Sequence, residues 1–193
     1  MTERCHCDRR TAVAAIVGSG LAIGLGGVGA LAQDDAARAR PKAGDVLVYQ
    51  AGANANKPIA AADVKAGTAQ ILAWPMDPAT KTVRSGTRLN TILVVAVDSS
   101  KMSAETKANA AGGVVAYSAV CTHQGCIVEG WEKGPQNLLC PCHQSEYDPR
   151  NGAKVLAGPA PNRLAALPLK VGGDGALTVA GGFQGHVGIS AAS

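Results

Sequence analysis

Two short segments constrain this chain more than any other part of it: Cys121-Thr-His123-Gln-Gly-Cys126 and, thirteen residues later, Cys140-Pro-Cys142-His143-Gln-Ser145. Together they hold four of the six cysteines and two of the four histidines. Cys121 and His123 stand as Cys-x-His, and Cys140 and His143 as Cys-x-x-His. Each segment therefore offers one soft thiolate and one imidazole, and two of each make a four-donor set for a transition metal. Zinc accepts such a set, but a structural zinc site leaves Cys126 and Cys142 without a role. One residue separates Cys140 from Cys142 where covalent haem attachment needs two, so a c-type haem is excluded.

What carries these segments is short and apolar. With 3% aromatics and 24 glycines, the core must come from Val, Leu, Ile and Ala on short strands between Gly-rich turns, which predicts a small β-rich domain. The 193 residues suit one domain plus a targeting or anchoring segment. A net charge of +4 is not gathered into a basic tract with interleaved aromatics, so nucleic acid is not an expected partner.

The hydrophobic pattern predicts strands over 46–49, 68–74, 91–97, 114–120, 163–171 and 176–180. Pro75 is expected to stop the second, and the unbroken apolar run of the third implies burial on both faces. Ser103 is expected to cap a short helix that runs to about Ala111 and ends at Gly112-Gly113. The strand over 114–120 leads straight into Cys121, and Leu138-Leu139 leads into Cys140. A rigid element thus delivers each segment.

Ahead of the domain, Arg9-Arg10 precedes a stretch from Thr11 to Ala32 with no charged residue, resembling a twin-arginine export signal. Ala30-Leu31-Ala32 is an acceptable cleavage site, and the same stretch is long enough to remain as a membrane anchor. Six glycines in it argue against a buried soluble helix, since each costs about 1 kcal/mol relative to Ala.

Cys-Thr-His-x-Gly-Cys followed by Cys-Pro-Cys-His-x-Ser resembles the Rieske [2Fe–2S] family in its disulfide-containing branch, a likeness that extends over roughly Tyr117 to Val179. The resemblance implies an all-β fold: a Rieske-type antiparallel β-sandwich with a small cluster-binding subdomain, here preceded by one hydrophobic N-terminal helix. The chain then divides into residues 1–32 as twin-arginine-like signal or membrane anchor, 33–44 as linker, 45–182 as the Rieske domain and 183–193 as a C-terminal tail. One [2Fe–2S] cluster per chain is implied, with Cys121 and Cys140 on one iron, His123 and His143 on the other, and Cys126 disulfide-bonded to Cys142. Ser145 and Tyr147 match positions whose hydroxyls tune the potential by hydrogen bonds to sulfur. Gly158-Pro-Ala-Pro161 matches the family's proline loop over the cluster.

The implied activity is one-electron transfer in an oxidoreductase complex, on the exported side of a membrane, periplasmic or outer, with the chain anchored or soluble after cleavage. Two settings follow. One is the iron–sulfur subunit of a quinol–cytochrome c reductase, with quinol at a cytochrome b subunit as donor and a c-type cytochrome as acceptor. The other is the small subunit of an exported molybdenum oxidoreductase similar to arsenite oxidase, or a free periplasmic shuttle. Gln124, where the quinol-oxidising branch usually has Leu, and Gln144, where Gly is common, are departures from the first pattern.

Overall fold

Residues 34–189 are described by the computed structural model. The expected N-terminal signal or anchor lies outside the described residues. Among the described residues no helix is long and apolar enough to cross a membrane.

Among the described residues ten strands form two antiparallel sheets: β1 Val46–Tyr49, β2 Ile71–Met76, β3 Ile92–Ala96, β4 Val114–Ser118, β5 Gly130–Glu132, β6 Asn137–Cys140, β7 Ser145–Asp148, β8 Lys154–Ala157, β9 Leu169–Val171 and β10 Leu177–Val179. The larger sheet runs β4-β3-β2-β1-β10-β9 and the smaller β5-β6-β7-β8. The larger one curls back on itself. Ser118 N donates to Ala165 O at 2.8 Å and Leu167 N to Ala116 O at 2.9 Å, so the residues before β9 return along β4.

Every residue of β3 and β4 is buried, because each strand feeds two cores. Ile92, Val94 and Ala96, with Val114 and Ala116, point into the curl of the large sheet beside Leu47, Ile59 and Leu177. Leu93, Val95, Val115 and Tyr117 point the other way, against Leu138, Tyr147, Cys121 and Cys140 of the smaller sheet and its loops. Alternation along a strand sends successive side chains to opposite faces, and here both faces are dry.

Pro75 does not end β2 as expected. It sits opposite Leu47 within the β1–β2 ladder. The β2–β3 ladder has already stopped at Ala73, opposite Ile92, so the N–H that proline lacks is not needed there. Its carbonyl accepts from Arg84 N at 2.8 Å.

The helix Ala104–Asn109 is capped by Ser103, whose Oγ accepts from Thr106 N, but it ends at Ala110 in extended backbone. Gly112 and Gly113, with φ of 59° and 99°, instead make a two-residue reversal that pairs Ala111 with Val114. Two successive left-handed residues suit a tight hairpin turn better than a helix cap. The strand expected over 163–171 is split by Pro168: residues 165–167 follow β4 and only Leu169–Val171 pair with β10.

Residues 34–38 are helical, and the stretch expected as a linker lies against the body. Arg84 Nη1 donates to Ala36 O at 3.1 Å and Gly86 N to Ala37 O at 2.9 Å. Beneath it, Arg84 grips Asp45 through two bonds, Nε to Oδ2 at 2.7 Å and Nη2 to Oδ1 at 3.0 Å, with both side chains buried. A planar guanidinium matches a carboxylate in this two-bond geometry. The tail is also engaged: Ala166 and Gln184 exchange backbone hydrogen bonds of 3.0 and 2.7 Å.

Removing one partner of a buried ion pair leaves the other charge desolvated and unmatched, at about 3–5 kcal/mol. Arg84→Met is therefore expected to lower the unfolding free energy by about that amount in urea titrations. Asp45→Leu added to Arg84→Met should recover part of the loss.

Candidate metal centre

The two cysteine–histidine segments fold into the same turn. In the first, Gly125 N donates to Cys121 O at 2.9 Å; in the second, Gln144 N donates to Cys140 O at 3.0 Å. Both closing residues are left-handed, with φ of 72° at Gly125 and 57° at Gln144. A left-handed backbone costs a residue with a Cβ about 1–2 kcal/mol, which accounts for glycine as the natural occupant of the second position too. Gln144 is held there with its side-chain Nε2 donating to Pro141 O at 3.2 Å. It is exposed, as is Gln124.

β4 delivers Cys121 and β6 delivers Cys140 into the inter-sheet core, where both are buried with free thiols. The two thiols interact with each other. Cys126 and Cys142 form a disulfide across the two loops, spanning 16 residues, with Cα atoms 6.6 Å apart. In the chain-entropy account a closed loop of that length contributes about 3 kcal/mol. The sulfurs of Cys126, Cys140 and Cys142 all lie within 4.8 Å of one another, but two of the three are bonded together and have no thiolate to offer a metal.

The imidazoles of His123 and His143 meet edge to face, centroids 4.7 Å apart and planes at 85°. His143 is exposed and His123 half-buried. His123 Nδ1 is buried without a hydrogen-bond partner. A buried ring nitrogen left unsatisfied is costly, and it suits a nitrogen that binds a metal.

The electrostatics point the same way. Burial pushes the Cys140 thiol up, contact with Cys121 adds to the rise, and the backbone N–H groups of Cys142 and His143 work against it. A bound metal inverts that balance and holds a coordinating sulfur as thiolate. Two buried thiols, an unsatisfied imidazole nitrogen and a second imidazole thus fit the two-cysteine, two-histidine donor set of a Rieske-type [2Fe–2S] centre.

Around the donors the surroundings are polar and tightly connected. Tyr147, fully buried on β7, places its hydroxyl 3.1 Å from Cys121 Sγ. Burial, then the Cys121 contact, raises its pKa, so it stays a neutral O–H. Ser145 Oγ, also fully buried, accepts from Ala160 N at 3.2 Å and so holds the 158–161 loop over the site. A hydroxyl that accepts one bond keeps its proton free to donate.

Three further residues complete the enclosure. Thr122 Oγ1 donates to Asn162 O at 2.6 Å and accepts from Asn162 N at 3.4 Å, tying the first segment to the far side of the proline loop. Gly158, with φ of 84°, lets that loop lie on β7: a Cβ there would meet Ser145 Cα at 2.5 Å. Arg88 Nη2 donates to Gly125 O from a distant part of the chain. Thr122 and Gly158 lie in segments that the sequence marks, whereas nothing local marks Arg88 as a neighbour of the site. His186 is exposed, its Nε2 2.9 Å from Ile189 O.

Residues 73–168 match the family model of the Rieske [2Fe-2S] domain. Over 76 residues, 39% of this chain, it is 47% identical to a protein of Haloferax mediterranei named as a respiratory nitrate reductase subunit Rieske. Over a stretch of equal length it is 45% identical to the cytochrome bc1 complex Rieske iron-sulfur subunit of Streptomyces lividans. The match spans 34% and 45% of the length of these two relatives. Among solved structures, the cyanobacterial plasma membrane Rieske protein of Synechocystis PCC 6803 is similar at 27% identity and a TM-score of 0.40, over 62% of this chain and 93% of that one. The disulfide across the two loops and the matched family model agree: this chain belongs to the disulfide-containing Rieske [2Fe–2S] proteins, through a domain that binds one such cluster.

Proposed function

We propose that the chain carries single electrons through a [2Fe–2S] cluster held by Cys121 and Cys140 on one iron and by His123 and His143 on the other, as a subunit of a membrane-associated respiratory oxidoreductase. The observation that carries this reading is the buried pair of free thiols beside an unsatisfied His123 Nδ1, with the other two cysteines of the loops already joined. When bound, the cluster supplies one reversible electron at a potential that neutral imidazole ligands raise above that of an all-cysteine centre.

The protein groups have separate tasks. Cys121 and Cys140 provide the negative charge from inside the core, shielded from water. His143, exposed, is the donor nearest a docking partner, and it is the route by which an electron reaches the surface. Tyr147 O–H and Ser145 O–H are the tuning groups. A donor to sulfur is worth more when the centre holds its extra electron, so both favour the reduced state. The disulfide keeps the two loops at a fixed separation through the change of charge.

The setting we favour is the iron–sulfur subunit of a quinol–cytochrome c reductase, taking its electron from quinol at a cytochrome b subunit and passing it to a c-type cytochrome. The Streptomyces relative supports it. The Haloferax relative and the polar Gln124 at the exposed tip support a second setting, the small electron-transfer subunit of another exported oxidoreductase of the molybdenum type. In either, the domain lies on the exported face of the membrane, where an oxidising compartment keeps Cys126–Cys142 closed. Residues 1–32 serve as its signal or anchor.

Electron paramagnetic resonance of the dithionite-reduced protein is expected to show a [2Fe–2S] signal, with two irons per chain by elemental analysis. Zinc without that signal overturns the reading. Recovery of a b-type haem with the tagged chain from its own membranes separates the two settings. Tyr147→Phe removes a hydroxyl that favours the reduced state, so its midpoint potential is expected to fall by about 40–60 mV, near a tenfold change in the reduction equilibrium. Protein-film voltammetry reads that shift directly, and an unchanged potential would remove Tyr147 from the tuning groups.

A further inference from the structure

We infer that Arg88 is a positioning residue for the first cluster loop and an electrostatic determinant of the cluster's potential. The inference rests on the electron-transfer reading above. Arg88 lies 37 residues from the loop it touches and outside both motif segments.

Its platform is rigid. Arg88 opens a single 3-10 turn, Arg88–Asn90, whose preceding Thr87 accepts from Leu89 N. Asn90 in that turn is fully buried, its Nδ2 donating to Ala39 O at 2.8 Å and to Arg84 O at 3.1 Å. Arg40 Nη1 donates to Leu89 O at 2.9 Å, and Ala119 N donates to Thr91 O at 2.9 Å. The turn is thus pinned by both the N-terminal stretch and the strand that leads into Cys121.

From this platform the guanidinium reaches the carbonyl of Gly125, the residue before Cys126, whose N–H closes the loop onto Cys121. Gly125 is buried, and a Cβ on it would run into the Arg88 guanidinium and approach Ile189 Cδ1 at 3.5 Å. The glycine therefore serves two demands: a left-handed backbone and room for a cation. Among the described residues no carboxylate forms an ion pair with Arg88. Its positive charge stands at the cluster loop without a carboxylate partner, on an exposed side chain, so its field on the cluster is one that added salt screens.

A fixed cation stabilises whichever state carries more negative charge, here the reduced one. Arg88 thereby holds the loop through its hydrogen bond and favours reduction through its charge. The effect does not need contact with the iron ligands.

Three forms of the cluster-loaded full chain, wild type, Arg88→Lys and Arg88→Gln, test this by their midpoint potentials at low and at high sodium chloride. Arg88→Gln, which removes the charge and is too short to reach the Gly125 carbonyl, is expected to shift the reduction equilibrium at least about threefold toward the oxidised form at low salt, roughly 30 mV at 59 mV per tenfold. Arg88→Lys is expected to stay within about twofold of wild type, and the gap between the Gln and wild-type forms should narrow at high salt. Amide hydrogen exchange at residues 121–126 should quicken in Arg88→Gln, with or without the cluster. A wild-type potential in Arg88→Gln overturns the inference, as does an equal drop in Arg88→Lys. Should Arg88→Gln fail to fold, the Arg88→Lys and wild-type forms decide: potentials that fall together with added salt support the charge, and salt-independent ones overturn it. A wild-type chain without any [2Fe–2S] signal would be a different failure, that of the electron-transfer reading itself.

Discussion

The five-residue ladder between β3 and β4 is the constraint on which the rest of the structure depends. Because both faces of these strands are buried, one set of side chains closes the large sheet and the alternate set forms the floor under the small one. A slip of one residue would exchange the two sets and move Cys121 out of the inter-sheet core. Register in this ladder therefore decides at once how the sheet curls and where the first thiolate stands. The same floor receives Leu138, Cys140 and Tyr147, so the second loop and the Tyr147 hydroxyl are placed by the same packing.

Around that floor the polar groups are connected in a closed pattern. Thr122 and Ser145 each bond the 158–162 loop from opposite sides of the site, and the disulfide ties the outer ends of the two cysteine loops. Burying so many polar atoms is tolerable only when each has a partner, and the exceptions carry information. His123 Nδ1 is such an exception, an atom positioned for a ligand rather than for the protein.

Regions remote in sequence stabilise the same site. The 34–45 stretch is anchored by Arg84 and Asp45, and through Asn90 and Arg40 it braces the turn that carries Arg88. What reads as a linker is part of the support for the first loop. The C-terminal residues near Ile189 lean on the same loop from another direction.

The cluster-binding role was legible because metal chemistry demands particular residue types at close spacing: Cys121, His123, Cys140 and His143, with Cys126 and Cys142 beside them. The strands with continuous apolar runs, β1, β3 and β4, were legible for an equally local reason. The small sheet was less so, since β7 reads Ser-Glu-Tyr-Asp and has no apolar run to mark it. Gly112-Gly113 was read as a helix stop and proved a hairpin turn, because the same left-handed preference serves both and only the pairing partner distinguishes them. By itself the sequence determined the family, through motif spacing within two short loops, and singled out the candidate donors. Tertiary structure alone decided that Pro75 could stay in a strand, that residues 165–167 would close the large sheet, and that Arg88 would reach Gly125. Each of these depends on contacts between residues far apart in the chain, which no local pattern encodes.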